Sequence, residues 1–226
     1  LLPFIGKTSE RTKGVGAYKP DYLEISSEIT NQLQNYAKRN RITVNTVMQG
    51  VWSYCLHRYT GNKDVIFGVI VSGRPEDLPG VEQRVGLYIN PLPLHSELKE
   101  DQKVTEWLKE LQEDQFSSRK YQSTTLADIQ TWTGIQGDIF DCLLTFENYP
   151  VNKLLESSQW SLRVENVQTS DKNNYPLTII ISLTDQISIR FNYNTALLKE
   201  EYVKEIISRF ENVLLQFIEN DESRLK

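Results

Sequence analysis

Residues 64–71 read DVIFGVIV: after Asp64 come seven residues with no polar side chain, five of them β-branched. Such a run is the mark of a β-strand covered on both faces. A strand of that kind commits the chain to layers, because both of its faces need apolar material packed against them.

The helical material is legible on either side. Ser26 or Ser27 opens a helix over about 27–40, with Ile29, Leu33, Tyr36 and Ala37 on one face. A second helix starts from a Thr43 cap and ends at Gly61. Its apolar positions Val44, Val47, Met48, Val51, Trp52, Cys55, Leu56 and Tyr59 cover so wide an arc that the helix is expected to be mostly buried. Val104, Trp107, Leu108 and Leu111 predict a third, and a short helix around 124–132 holds Leu126 and Ile129. The last, about 199–219, repeats Tyr202, Val203, Ile206, Phe210, Val213, Leu214 and Phe217 at helical spacing.

Four more strand-like segments follow the middle helices: 139–146, 160–168, 176–184 and 186–193, the last two joined through Asp185 as a hairpin. Residues 1–22 show no periodicity and read as a linker. The mixture of helices and late consecutive strands predicts an α+β fold, a mixed β-sheet with helices packed mainly on one face.

Composition narrows the function. A net charge of -5 argues against non-specific nucleic-acid binding, which depends on neutralising phosphates with Lys and Arg. No run approaches the roughly 18 apolar residues of a bilayer span, so no membrane role is expected. With no signal peptide, a cytoplasmic location is expected. Cys55 and Cys142, both in apolar segments, read as buried reduced thiols. The chain begins Leu1-Leu2-Pro3 without a methionine, as a domain cut from a longer protein would. Lys38, Arg39 and Arg41 cluster at one helix end, where cations complement the helix dipole or dock a partner.

A catalytic constellation is absent from this reading. The two histidines, His57 and His95, stand alone, the first in a buried-looking helix and the second at a strand end. No HExxH or CxxC spacing offers a metal site, and no GxSxG elbow or phosphate-binding loop is present. Gly14-Val15-Gly16 follows no strand and reads as linker. Glu76-Asp77 and Glu113-Asp114 are adjacent pairs and read as solvated charges.

One stretch resists these categories. Residues 71–95, VSGRPEDLPGVEQRVGLYINPLPLH, run from a polar Gly- and Pro-punctuated loop into Val85, Leu87, Ile89, Leu92 and Leu94. Pro91 and Pro93 each remove a ladder donor, so a plain core strand is not expected there. The reading is an irregular backbone held at an internal surface.

The same stretch carries a resemblance. MQGVWSYCLHRYTGNKDVIFGVIVSGRPEDLPGVEQRVGLYINPLPLH (48–95) resembles the C-terminal lobe of nonribosomal peptide synthetase condensation domains. KYQSTTLADIQTWTG (120–134), FDCLLTFENYP (140–150) and NNYPLTI (173–179) continue the match in the family's order, across nearly all of 23–220. The resemblance implies a chloramphenicol acetyltransferase-like fold of two lobes with a tunnel between them. Residues 1–22 would be the inter-lobe linker and 23–226 the C-terminal lobe. Carrier proteins would deliver phosphopantetheine-tethered thioesters to the two tunnel mouths, and peptide (amide) bonds would form between them. No cofactor would be bound directly. The partners implied are the N-terminal lobe of the same domain, peptidyl carrier proteins and an adjacent adenylation domain.

The family's catalytic motif, HHxxxDG, belongs to the N-terminal lobe, and no His-His pair occurs in this sequence. The resemblance therefore implies no catalytic residue here, a fragment inactive alone, and a tunnel wall made in part by Ser72, Gly73, Arg74, Asn90, Asn174 and Tyr175. Asn90 falls on the motif's asparagine, placed either to hydrogen-bond substrate amides or to tie down irregular backbone. His95 stands where the family often has Arg. Asn173, Asn174 and Tyr175 occupy the last core motif without its Arg, so turn chemistry before Pro176 is the expected use of the asparagines. Lys38, Arg39 and Arg41 would be a carrier-docking surface. The alternatives are a non-catalytic carrier-binding module, a degenerate condensation-like domain, or an epimerising or cyclising relative. The LPGVE and VGLYIN-PLP wording fits peptide-forming members better than epimerases.

Overall fold

The fold is taken from a computed structural model of the chain, which describes residues 2, 5, 16–74, 78–147 and 174–225. Its strands are β1 (Tyr18–Ile25), β2 (Asp64–Val71), β3 (Asn90–Glu97), β4 (Cys142–Glu147), β5 (Leu177–Leu183) and β6 (Ile187–Asn194). Its helices are α1 (Ser27–Asn40), α2 (Val44–Thr60), α3 (Val104–Ser118), α4 (Leu126–Thr133) and α5 (Glu200–Glu219). One six-stranded sheet runs β1-β6-β5-β4-β2-β3, with β2–β4 and β4–β5 parallel and the other pairs antiparallel.

The helix boundaries follow from the expected caps. Ser26 accepts a hydrogen bond from the Ile29 amide, and Thr43 Oγ1 accepts one from the Thr46 amide at 3.0 Å. Gly61 closes α2 in the left-handed region, its N–H bonded to the His57 carbonyl.

Sheet parity decides what is buried. Val65, Phe67 and Val69 of β2 join Leu177, Ile179 and Ile181 of β5 and Ile187, Ile189 and Phe191 of β6 in a single core under α1, α2, α3 and α5. Phe191 meets Phe210 of α5 edge-on at 5.8 Å, and Trp107 of α3 meets Phe217 likewise at 6.3 Å. Gly50 lets α3 approach α2 closely: a β-carbon there would stand 2.2 Å from Leu108 Cδ2. The α+β class, the mixed sheet and the helices against one face are as expected.

Four expectations change. Tyr18–Ile25 is a strand and not linker, paired with β6 at eight positions. It lies at the sheet edge and buries only Leu23 and Ile25, which is too little alternation to read from sequence. Leu2 and Ile5 are buried as well, and the Leu2 amide donates to Asp141 Oδ2 at 2.9 Å. β2 is not covered evenly on both faces, since Ile66 is 37% exposed on the face away from the helices. β4 starts at Cys142, because Phe140 turns instead onto the face away from the helices, above Gly68, where it is buried. Finally, Asn90–Glu97 is a regular strand, and the irregular backbone ends before it. Among the described residues β3 has β2 as its one neighbour, and Pro91 and Pro93 share a parity, so the missing donors fall together on the edge away from β2. The strand expected at 160–168 lies outside the described residues. The β5–β6 hairpin is as expected.

Candidate functional site

Beyond the end of β2 the chain turns at Gly73, with φ +60°. Its missing side chain matters: a β-carbon there would stand 1.8 Å from the Tyr88 carbonyl oxygen. Two segments far apart in the loop are thereby pressed together, backbone on backbone.

Arg74 strengthens the same contact. Its guanidinium donates to the Val81 carbonyl and, at 3.2 Å, to the Arg84 carbonyl, and lies 4.5 Å over the Tyr88 ring. Its own carbonyl accepts from Gln122 Nε2 at 2.8 Å. Asn90 completes the ring of contacts: its Nδ2 donates to the Gln122 carbonyl at 3.0 Å and the Thr124 carbonyl at 2.7 Å. Of the two roles open to Asn90, the structure thus assigns its amide N–H groups to holding backbone. Ser72, beside this cluster, is exposed.

The loop's apolar tip faces the other way. Val85 and Leu87 are essentially fully exposed, and Ile89 is 59% exposed, whereas Leu92 and Leu94 are buried in β3. The internal surface expected for this stretch is therefore not internal to the chain at Val85 and Leu87, which nothing among the described residues covers. Trp132 of α4 is 70% exposed as well.

Tyr175 belongs to a different cluster. Its ring stacks on Phe140 at 5.3 Å, and Phe140 in turn caps Gly68, where a β-carbon would stand 2.3 Å from its ring. Burial, then the Asp138 charge, raises the Tyr175 pKa. Asn174 is exposed in the bend that precedes β5, and Asn173 lies outside the described residues.

The basic cluster divides. Arg39 makes two 2.8 Å hydrogen bonds to Asp221, riveting the end of α1 to the chain after α5. Asn40 adds a third to the same carboxylate at 3.1 Å. Arg41 takes a left-handed conformation to cap α1, and both Lys38 and Arg41 are exposed.

The histidines keep structural roles. His57 is buried with Nδ1 2.6 Å from the Asn62 carbonyl, so that nitrogen carries the proton, and burial lowers its pKa. His95 pairs with Asp64 at 2.9 Å. Both thiols are buried, and burial pushes Cys55 up to about 12. The residues missed from sequence are Gln122, Tyr88 and Phe140. Gln122 lies in the quoted KYQSTTL segment, but its partner is 48 residues away, and no local pattern announces such a bond.

With this geometry in view, comparison with known proteins locates the chain. The family model described as Condensation domain matches residues 7–226. The chain is 39% identical over 183 residues to chondramide synthase cmdD of Chondromyces crocatus, covering 80% of this chain and 5% of that protein. It is 32% identical over 203 residues to tyrocidine synthase 2 of Brevibacillus parabrevis, covering 87% of this chain and 6% of that protein. Among solved structures it resembles the condensation domain from Monacolin K polyketide synthase MokA, with a TM-score of 0.82 at 11% identity, covering 98% of this chain and 51% of that one. It also resembles the complex of the X-domain and OxyB from teicoplanin biosynthesis, with a TM-score of 0.80 at 17% identity over 99% and 50% of the two chains. The chain thus spans a small part of those synthases and about half of those solved domains.

Proposed function

Since this chain belongs to the condensation-domain family, we propose that it is the C-terminal lobe of a domain that forms amide bonds in nonribosomal peptide synthesis. The acceptor amine nitrogen attacks the donor thioester carbonyl. A C–N bond forms, the C–S bond breaks, and the amine proton leaves with the phosphopantetheine thiol. Both thioesters arrive as substrates on peptidyl carrier proteins, and an adjacent adenylation domain supplies the activated amino acid.

The observation that carries this reading is the loop beyond β2. Its root is tied by Arg74, Gln122 and Asn90, while its tip exposes Val85 and Leu87. A monomer rarely presents a held apolar edge without something to cover it. The N-terminal lobe is the proposed cover, and residues 23–226 the lobe it meets. Ser72, Gly73, Arg74, Asn90, Asn174 and Tyr175 then line one wall of the shared tunnel, and the catalytic histidines lie on the other lobe. Lys38 and Arg41 are the docking candidates for an acidic carrier, because Arg39 is engaged by Asp221.

Joining the chain to an N-terminal lobe and assaying dipeptide formation between loaded carriers tests the reading. Product is expected from the joined protein and none from the chain alone. Product from the chain alone, or none from the joined protein, overturns it. Substituting Lys38→Glu and Arg41→Glu together is expected to weaken carrier binding about tenfold, measured by titration at low salt; unchanged affinity removes the docking assignment. A second reading, a non-catalytic partner-recruiting module, draws on the fold shared with the X-domain–OxyB complex. Carrier or partner binding without amide formation by the joined protein would select it.

A further inference from the structure

α4 contributes no fully buried side chain, and the tip of the Ser72–Asn90 loop is exposed at Val85, Leu87 and Ile89. Neither element is anchored to the core by its own apolar packing. What joins them is a small set of polar contacts that converge on one side chain and its peptide group. Gln122 donates from Nε2 to the Arg74 carbonyl at 2.8 Å, and its carbonyl accepts from Asn90 Nδ2 at 3.0 Å. Gln122 sits between the helical turn Arg119–Tyr121 and the Thr125 cap of α4. It therefore grips the loop at both its entry, Arg74, and its exit, Asn90.

We infer that Gln122 is a positioning residue that sets the pose of the apolar loop relative to α4. This inference rests on the amide-forming reading above. Gln122 touches no reacting atom; it acts through the loop it holds. Without the Nε2 donor, the Arg74 carbonyl loses its partner on the α4 side while the Asn90 contacts persist. The loop then keeps its exit and loses its entry. The apolar tip would meet the opposite lobe in many orientations instead of one, and a reaction that depends on alignment slows more than substrate binding does.

The experiment uses the full-length protein that carries this chain, with Gln122→Met, which keeps the side-chain length and removes the donor. Gln122→Glu is a second variant that sets an acceptor against the Arg74 carbonyl. Hydrogen exchange at residues 84–90 and 126–133 is measured with thermal stability and with kcat and KM for amide formation. Exchange about tenfold faster in both segments is expected, with kcat lowered about tenfold, KM within about twofold and little change in thermal midpoint. Unchanged exchange overturns the tie. A rate loss that only follows the loss of folded protein overturns the positioning role, leaving a structural one. A wild-type protein that forms no amide overturns the reading of the reaction and, with it, the catalytic consequence; the exchange result still decides the tie.

Discussion

Gly73 holds φ near +60° with the Tyr88 carbonyl oxygen where a β-carbon would need to be. An alanine there meets both a left-handed backbone penalty and a backbone collision, and neither neighbour is a flexible side-chain end that can swing aside. Gly73→Ala is expected to cost about 2 kcal/mol or more of stability, read by urea denaturation, with near-normal stability counting against the close approach. At His57 the expectation concerns pH. The folded form keeps the ring neutral, chiefly through burial, with the Asn62 carbonyl and Asp64 opposing that shift and His95 adding to it. Above the unfolded value of about 6.5, the ring is neutral in both states and stability is full. As pH falls from about 6.5 toward the lowered folded value, the unfolded chain takes up the proton first and stability declines. His57→Gln should flatten that decline in thermal unfolding measured across pH 7 to 5; equal slopes for both proteins would refute the assignment.

The elements differ in how much of their structure is written locally. α1 and α2 have cap residues, Ser26, Thr43 and Gly61, that act within four positions, so both boundaries could be read directly. β1 is illegible in the sequence because an edge strand with two buried side chains carries almost no period-two signal. β3 looks irregular in sequence because its prolines resemble interruptions, until its place at the end of the described sheet makes them edge residues. Gly50 has the opposite character: inside α2 it is an unfavourable residue, justified only by α3. Gly50→Ala should raise helix propensity and yet destabilise the protein by about 1–3 kcal/mol, since the new methyl must displace Leu108. Stabilisation would show that α2 and α3 can separate without cost.

Over the whole molecule, the sheet's helix side is a continuous core, and on its other side Leu143, Thr178 and Ile180 are buried while Ile66 is partly exposed. Phe140 lies over Gly68, Tyr175 stacks on Phe140, and the loop tip stands exposed. The double change Val85→Ser, Leu87→Ser should leave unfolding of this chain within about 0.5 kcal/mol, because neither side chain is buried in it. It should weaken association with an added N-terminal lobe by about tenfold or more, measured by sedimentation. Retained association would place the covered surface elsewhere.

By itself the sequence determined the α+β class, the helices and their caps, the buried thiols, the absence of a His-His pair, and, through its motifs, the family. These rest on short-range periodicity, capping chemistry and residue order. Only the tertiary structure decided that Asn90 holds the Gln122 and Thr124 carbonyls, that Gln122 grips Arg74, and that Arg39 is committed to Asp221. It also decided that Val85 and Leu87 face outward. Each of these joins segments 32 to 182 residues apart or depends on what packs nearby. A side chain's donors and exposure are set by the neighbours folding brings to it, and those neighbours are not its neighbours along the chain.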